Sequence, residues 1–268
     1  MERPYRIMGV LNVTPDSFSD GGQFLDAGAA IAHGLALEAE GADILDVGGE
    51  STRPGAQAVA PDEQVRRVVP AIEGLVAAGA RAQISIDTTR LAVAQAAVAA
   101  GATYVNDVTA FRADPQLAGF VAEHGLDCCL THMRGEPRSM QADPVYDDVV
   151  SDVKAFLEQR LAAATAAGIA EERIMLDPGI GFGKTLAHNL ELLRRLGELV
   201  ALGQPVVIGT SRKSFLGRIT GREADDRLAG TIATNVLALE RGASVFRVHD
   251  VRPVADALAV AAATVRGR

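Results

Sequence analysis

Tryptophan is absent from this 268-residue chain, aromatic residues make up only 4% of it, and the two cysteines, Cys128 and Cys129, stand side by side. Adjacent cysteines on a strand point to opposite faces, which excludes an ordinary disulfide framework. They read as two packed core residues rather than a catalytic thiol pair. No CxxC or HExxH spacing offers zinc a site. No apolar run approaches the roughly 18 residues of a membrane helix, and the opening MERPYRIMGV has no n-region followed by a long apolar stretch. A basic excess is missing as well. The formal net charge of -8 argues against nucleic acid as a partner, because a phosphate polymer is held by broad basic surfaces. A small anion held by a few local cations stays open. These absences predict a cytoplasmic protein without a membrane segment.

What the chain does have is aliphatic periodicity. Hydrophobic residues make up 48% of it, and they gather in eight short runs suited to a buried parallel sheet. The runs are RIMGVLNV, ADILDVGGE, QISID, ATYVND, CCLTH, RIMLD, PVVIGTS and SVFRVHD. Nearly every one stops at a residue able to grip an anion, a metal or a polar heterocycle: Asn12, Glu50, Asp87, Asn106 with Asp107, His132, Asp177, Ser211, and Arg247 with His249 and Asp250. Between the runs, apolar residues recur at three- and four-residue spacing, which predicts helices near 26–40, 62–78, 90–100, 114–124, 144–167, 187–201, 223–241 and 252–266. Asp143 before Pro144 reads as a helix cap, and Gly168, Gly203 and Gly242 as helix stops.

Eight strand-helix units in 268 residues average about 33 residues each, the size of one βα unit. No linker, low-complexity tract or charge block interrupts them, so residues 1–268 read as a single (β/α)8 TIM barrel. Connections from helix to strand are short. Several from strand to helix are long: TPDSFSDGGQFL, STRPGAQAVAPD, MRGEPRSMQAD and RKSFLGRITG. In such a barrel the long loops and polar strand ends share the catalytic rim. Period two puts Ser85 and Asp87 on one strand face, and Val245, Arg247 and His249 on another. A lone strand-end Asn or Asp is ordinary turn chemistry. Asn12, Asp87, Asn106, Asp177, Lys213, Arg247 and His249 together are not.

In order along the chain, the segments MGVLNVTPDSFSDGG from Met8, DVGGESTRPGA from Asp46, ISIDT from Ile84 and NDV from Asn106 resemble the rim segments of dihydropteroate synthases. So do HMRGEPRSMQ from His132, LDPGIGFGK from Leu176, SRKSF from Ser211 and RVHDV from Arg247. The resemblance spans nearly the whole chain. It departs from the family's pattern at Gln64 and Thr131, neither of which carries an assigned role. Gly183, Lys184 and Thr185 mimic the end of a nucleotide P-loop, but Pro178 stands where that motif requires its first glycine.

The resemblance implies a transferase that joins 6-hydroxymethyl-7,8-dihydropterin diphosphate to 4-aminobenzoate, yielding 7,8-dihydropteroate and diphosphate for folate synthesis. A pterin presents its 2-amino and N3 hydrogens as a planar donor pair, which a carboxylate accepts in two prongs. Asp177 matches the family residue in that role. Asn106 would serve the remaining ring edge and Lys213 the carbonyl side, while Arg247 would lie over the ring and Asp87 complete the pocket. For diphosphate, the similarity points to Asn12 as a magnesium ligand, with Arg53, Arg247 and His249 as anion contacts. Asp87, Lys213, Arg247 and His249 form the expected catalytic group.

The 4-aminobenzoate pocket implied by the family comprises Phe18, Thr52, Arg53, Pro54, Phe182, Lys213 and Ser214. Strand two is then expected to act mainly through the loop beyond Glu50. The family further implies Mg2+, competition by sulfonamides against 4-aminobenzoate, and a homodimer through the alanine-rich outer helices after residue 223. Two rivals are a methyltetrahydrofolate-dependent methyltransferase, which would use the same Asp and Asn pterin grip, and a non-catalytic pterin-binding protein. Neither needs the loops SFSDGG, STRPG and SRKSF together.

Overall fold

The computed structural model describes residues 3–14, 23–51, 58–135, 140–141 and 144–265. Strands β1 (Arg6–Asn12), β2 (Ile44–Gly48), β3 (Gln83–Asp87), β4 (Tyr104–Asp107), β5 (Asp127–Thr131), β6 (Ile174–Asp177), β7 (Val207–Ile208) and β8 (Val245–Val248) lie in the order β6-β5-β4-β3-β2-β1-β8-β7. All the pairings are parallel. A parallel bridge between Leu176 and Val206 brings β6 to the other edge, closing the sheet into the expected (β/α)8 barrel. Strand β7 is only two residues long, shorter than the run PVVIGTS suggests.

Helices α1 (Gln23–Ala39), α2 (Pro61–Ala77), α3 (Leu91–Ala99), α4 (Gln116–Glu123) and α5 (Val149–Ala166) alternate with the strands. They are followed by α6 (Leu186–Arg194), α7 (Gly197–Val200), α8 (Ser214–Thr220), α9 (Leu228–Glu240) and α10 (Val251–Val265). None is long and apolar enough to cross a membrane.

Several boundaries differ from the sequence expectations, among them α9, which starts at Leu228 and not at 223. Helix α5 starts at Val149 because Asp148 caps it, its carboxylate accepting the Ser151 amide at 2.7 Å; the proposed cap Asp143 lies outside the described residues. The helix expected over 187–201 breaks at Arg195–Leu196 into α6 and α7. The stretch RKSFLGRITG holds the short α8, whose end is set by left-handed Gly221. Gly168, Gly203 and Gly242 all have positive φ, as helix stops require.

Strand alternation sorts side chains into two apolar layers. Outward residues such as Ile7, Leu45, Ile86, Val105, Cys128, Leu176 and Phe246 pack against the helices in one large cluster. Each such buried aliphatic contributes about 1.5–3 kcal/mol. Inward residues Met8, Ile44, Tyr104, Cys129, Met175, Val207 and Val245 form a separate cluster that fills the barrel. The adjacent cysteines thus fall on opposite faces, both buried and free. Beneath the inner cluster a polar floor joins distant strands. Arg6 donates to Gln83 at 2.7 Å, Gln83 to Asp127 at 2.8 Å, and Arg173 to Asp127 at 3.0 Å. Polar bonding at this end of a barrel belongs to stability.

Candidate active site

The same alternation dictates the mouth. Two residues beyond the inner apolar layer, on the same strand faces, stand Asp46 after Ile44, Asn106 after Tyr104, Asp177 after Met175, Gly209 after Val207 and Arg247 after Val245. Asp87 follows Ser85 in the same way on β3, and register sets Gly48 beside Asp87 and Asp87 beside Asn106. The apolar plug is therefore capped by a polar layer at the C-terminal end of the strands.

Asp46 organises that layer. It is fully buried on β2. One carboxylate oxygen accepts Ser85 Oγ at 2.6 Å, and the other accepts Asn106 Nδ2 at 3.1 Å and Arg247 Nε at 2.7 Å. Arg247 also donates through Nη2 to Asp87 at 2.8 Å. Two engaged guanidinium nitrogens fix its plane across the mouth. Burial opposes the Arg247 charge, but Asp46 and Asp87 outweigh it and raise its pKa. Asp87 moves the other way for an acid. Burial, only partly offset by Arg247 and reinforced by Asp46, lifts it to about 7.

Asp46 is the group that sequence reasoning missed. Strand two was expected to work mainly through its later loop, yet it supplies the acid that holds Arg247, Asn106 and Ser85. Glu50 stands elsewhere: its oxygens accept the Val59 amide at 3.0 Å and Gln64 Nε2 at 2.8 Å, so it closes its own loop. The departure at Gln64 has this structural consequence. A carboxamide there can donate to Glu50 and also to the Val59 carbonyl at 3.0 Å.

On the opposite side of the mouth, Asp177 is buried and accepts the Gly179 amide at 2.7 Å. Burial raises its pKa against the pull of Lys213, that amide and Arg247. Lys213, at the N-terminal boundary of α8, donates to the Ile180 carbonyl and sits 4.7 Å from the Phe182 ring centroid. Burial lowers it to about 8, with Asp177 resisting. Ser214 is the exposed first residue of α8. His249 lies one residue past β8, where its Nδ1 is 3.0 Å from Ser211 Oγ and its amide donates to the same oxygen at 3.2 Å. Asn12 ends β1, its side-chain oxygen lying on the Gly48 side. Phe18, Thr52, Arg53 and Pro54 lie outside the described residues.

The β6–α6 loop is held unusually completely. Lys184 donates to the carbonyls of Gly179 and Phe182, Lys213 to Ile180, Gln141 to Gly181 and Tyr146 to Gly183. Asn189 accepts the Gly181 amide at 2.7 Å, and Thr185 with His188 forms a capping box at the start of α6. Gly179 is left-handed, and a Cβ there would meet the His132 carbonyl oxygen at 1.9 Å. Only glycine allows that approach.

The barrel mouth thus assembles Asp87, Asn106, Asp177, Lys213 and Arg247 over one apolar plug, with Asn12, Phe182, Ser214 and His249 on its surrounding strand ends and loops. Comparison with known proteins identifies the family. Residues 8–249 match the pterin binding enzyme family. A dihydropteroate synthase of Mycobacterium leprae is 48% identical, covering 97% of this chain and 93% of that protein. The Xanthomonas albilineans dihydropteroate synthase, solved with 4-aminobenzoic acid, superposes with a TM-score of 0.92 at 50% identity over 100% of this chain and 94% of that one. The Yersinia pestis dihydropteroate synthase, solved with a sulfonamide drug, gives a TM-score of 0.92 at 41% identity, covering 98% and 95%. The family match over residues 8–249, with relatives this similar over nearly the whole barrel, places the chain in the dihydropteroate synthase family of pterin-binding enzymes.

Proposed function

We propose that this protein condenses 6-hydroxymethyl-7,8-dihydropterin diphosphate with 4-aminobenzoate, releasing 7,8-dihydropteroate and diphosphate. The observation that carries this reading is the convergence of Asp177, Asn106, Lys213, Asp87 and Arg247 at one barrel mouth. Asp177 receives the paired N–H donors of the pterin, and Asn106, held in orientation by Asp46, takes the neighbouring ring edge. Lys213 donates to the pterin carbonyl side. Arg247, fixed by Asp46 and Asp87, covers the ring and turns positive charge toward the leaving group.

A neutral aryl amine is the nucleophile, so the step needs no strong base. Diphosphate leaves first in an SN1-like step, and Asp87 stabilises the positive charge that spreads from the dihydropterin ring onto its methylene carbon. Arg247, His249 and Arg53 receive diphosphate. Phe18, Phe182, Thr52, Arg53 and Pro54 wall the 4-aminobenzoate pocket, with Lys213 and the Ser214 hydroxyl toward its carboxylate.

Among the described residues no three His, Cys, Asp or Glu side chains converge as a metal site. That donor set fits an ion delivered largely by its substrate, because Mg2+ commonly takes one or two protein oxygens, several waters and phosphate oxygens. Asn12 would supply its amide oxygen, and the bound ion would offset diphosphate charge. We further propose a cytoplasmic homodimer formed through α9 and α10, on which Leu237, Val260 and Val265 are exposed.

The test is diphosphate release that requires both 4-aminobenzoate and Mg2+, with sulfonamides competing against 4-aminobenzoate. Folded protein that binds the pterin diphosphate without aminobenzoate-dependent release would point to the non-catalytic reading. Methyl transfer from methyltetrahydrofolate in its place would establish the methyltransferase. Sulfonamide competition against the pterin alone would remove the proposed second pocket.

A further inference from the structure

Lys184 touches no carboxylate, lies outside the layer of strand-end residues, and is nonetheless 98% withdrawn from solvent, with 2% of its surface exposed. Its ammonium nitrogen is 2.8 Å from His132 Nδ1, 2.9 Å from the Gly179 carbonyl and 3.0 Å from the Phe182 carbonyl. A third carbonyl, that of His132 itself, lies at 3.4 Å; three carbonyl oxygens, which can only accept, exceed the two hydrogens of a neutral amine and match the three of an ammonium. Burial and the Lys184 charge push His132 down to about 2, so its ring is neutral and Nδ1 can offer its lone pair to the ammonium.

We propose that Lys184 is a positioning residue for the pterin reaction: its buried ammonium fastens the Gly179–Phe182 segment to the end of β5 and supports the Asp177 carboxylate through the Gly179 turn. The first half rests on the bonds. Lys184 alone serves two of the five carbonyls from Gly179 to Gly183, and the Gly179 turn it holds is the one whose amide donates to Asp177. The second half rests on that turn and on charge. Burial raises the Asp177 pKa, and Lys213, the Gly179 amide that Lys184 holds in place, Arg247 and Lys184 itself, in that order, favour its carboxylate. Burial in turn pushes Lys184 well below the ordinary lysine range, with Asp177 supporting its charge and Lys213 opposing it. The other charged or titratable groups around this pair are His132, His188, Arg112 and Arg134.

The inference rests on Asp177 being the pterin acceptor, since an acid that must receive two N–H donors fails when protonated. Its test is calorimetric binding of the pterin diphosphate across pH 4.5 to 8 for wild type, Lys184→Gln and Lys184→Arg. Glutamine keeps donors but loses the charge. Its acid limb should move up by about one pH unit, giving about tenfold weaker binding below the new midpoint. Lys184→Arg should hold the wild-type midpoint.

A structural defect alone would weaken binding at every pH without moving that limb. Superimposable limbs for wild type and Lys184→Gln would overturn the proposal. Should the variants fail to fold, 15N-lysine NMR of the wild-type enzyme decides: an ammonium at Lys184 at pH 7 supports it, and a neutral amine overturns it. Wild-type protein that binds no pterin at any pH would defeat the assignment of the site itself, a result distinct from an unmoved limb.

Discussion

Replacing Asp46 by Asn tests whether one strand-interior acid holds the mouth together. The substitution keeps shape and removes the charge that accepts from Ser85, Asn106 and Arg247 at 2.6, 3.1 and 2.7 Å. Removing one partner of a buried ion pair costs about 3–5 kcal/mol. Two features reduce that here. Arg247 keeps Asp87 at 2.8 Å, and the asparagine oxygen still accepts one bond, so the expected loss is about 2–3 kcal/mol. For a chain of this size that corresponds to a fall in Tm of about 6 °C at fixed scan rate.

The loss must also depend on pH. Asp87 stands at about 7 when folded against a reference of 3.8, so its contribution is complete below 3.8 and is lost as pH rises through 7. The Asp46 charge is one cause of that elevation, and Asn removes it. The variant therefore gains less than wild type on going from pH 8 to pH 5, and its Tm deficit is larger at pH 5. Scanning calorimetry at both values, with pterin affinity measured in parallel, is the assay. A Tm within about 2 °C of wild type at pH 5, or a larger deficit at pH 8, would refute the reasoning.

Lys213, lowered to about 8 by burial, loses its charge through that pH, so wild-type pterin affinity should show an alkaline limb near 8 that Lys213→Met abolishes. A limb near the ordinary lysine value instead would show that Lys213 does not serve the pterin. Lowering its folded pKa also means that its burial cost disappears above pH 8, adding stability between 8 and 10.5. Gly179→Ala drives a methyl into the His132 carbonyl at 1.9 Å from a left-handed backbone; a loss of at least about 3 kcal/mol in urea unfolding is expected, and a near-neutral result would contradict that packing. Chelation of Mg2+ should suppress diphosphate release and leave the apo Tm unchanged, since only Asn12 among the described residues is assigned to the ion. A chelator-dependent fall in Tm without substrate would require a resident metal site.

The fold was legible because period-two strands and three-to-four-residue helical spacing both depend on local pattern. The polar ends of β3, β4, β6 and β8 could be read in the same way, since each followed an apolar run. Asp46 escaped because it lies inside its run, two residues before Gly48, where attention falls on the loop beyond. The signal was present in the register: a charged residue on the inward face of a buried strand needs partners. Lys184 was hidden by its motif. Its P-loop likeness was rightly set aside on spacing, but its four-residue neighbourhood gives no hint of His132, whose approach comes from β5. Helix starts were misplaced where capping overrode periodicity, as at Asp148.

The bond from Arg247 to Asp46 joins residues 201 positions apart, and it forms across the seam where β8 meets β1. Asn106 donates to the same carboxylate oxygen, so an acid that serves the early half of the pocket receives its cation only from the last strand. During synthesis, then, no stretch of the emerging chain holds a finished pocket until β8 has left the ribosome and docked. Recognition of substrate and closure of the barrel become a single folding event, and a chain interrupted before residue 245 leaves Asp46 and Asp87 without the cation they share.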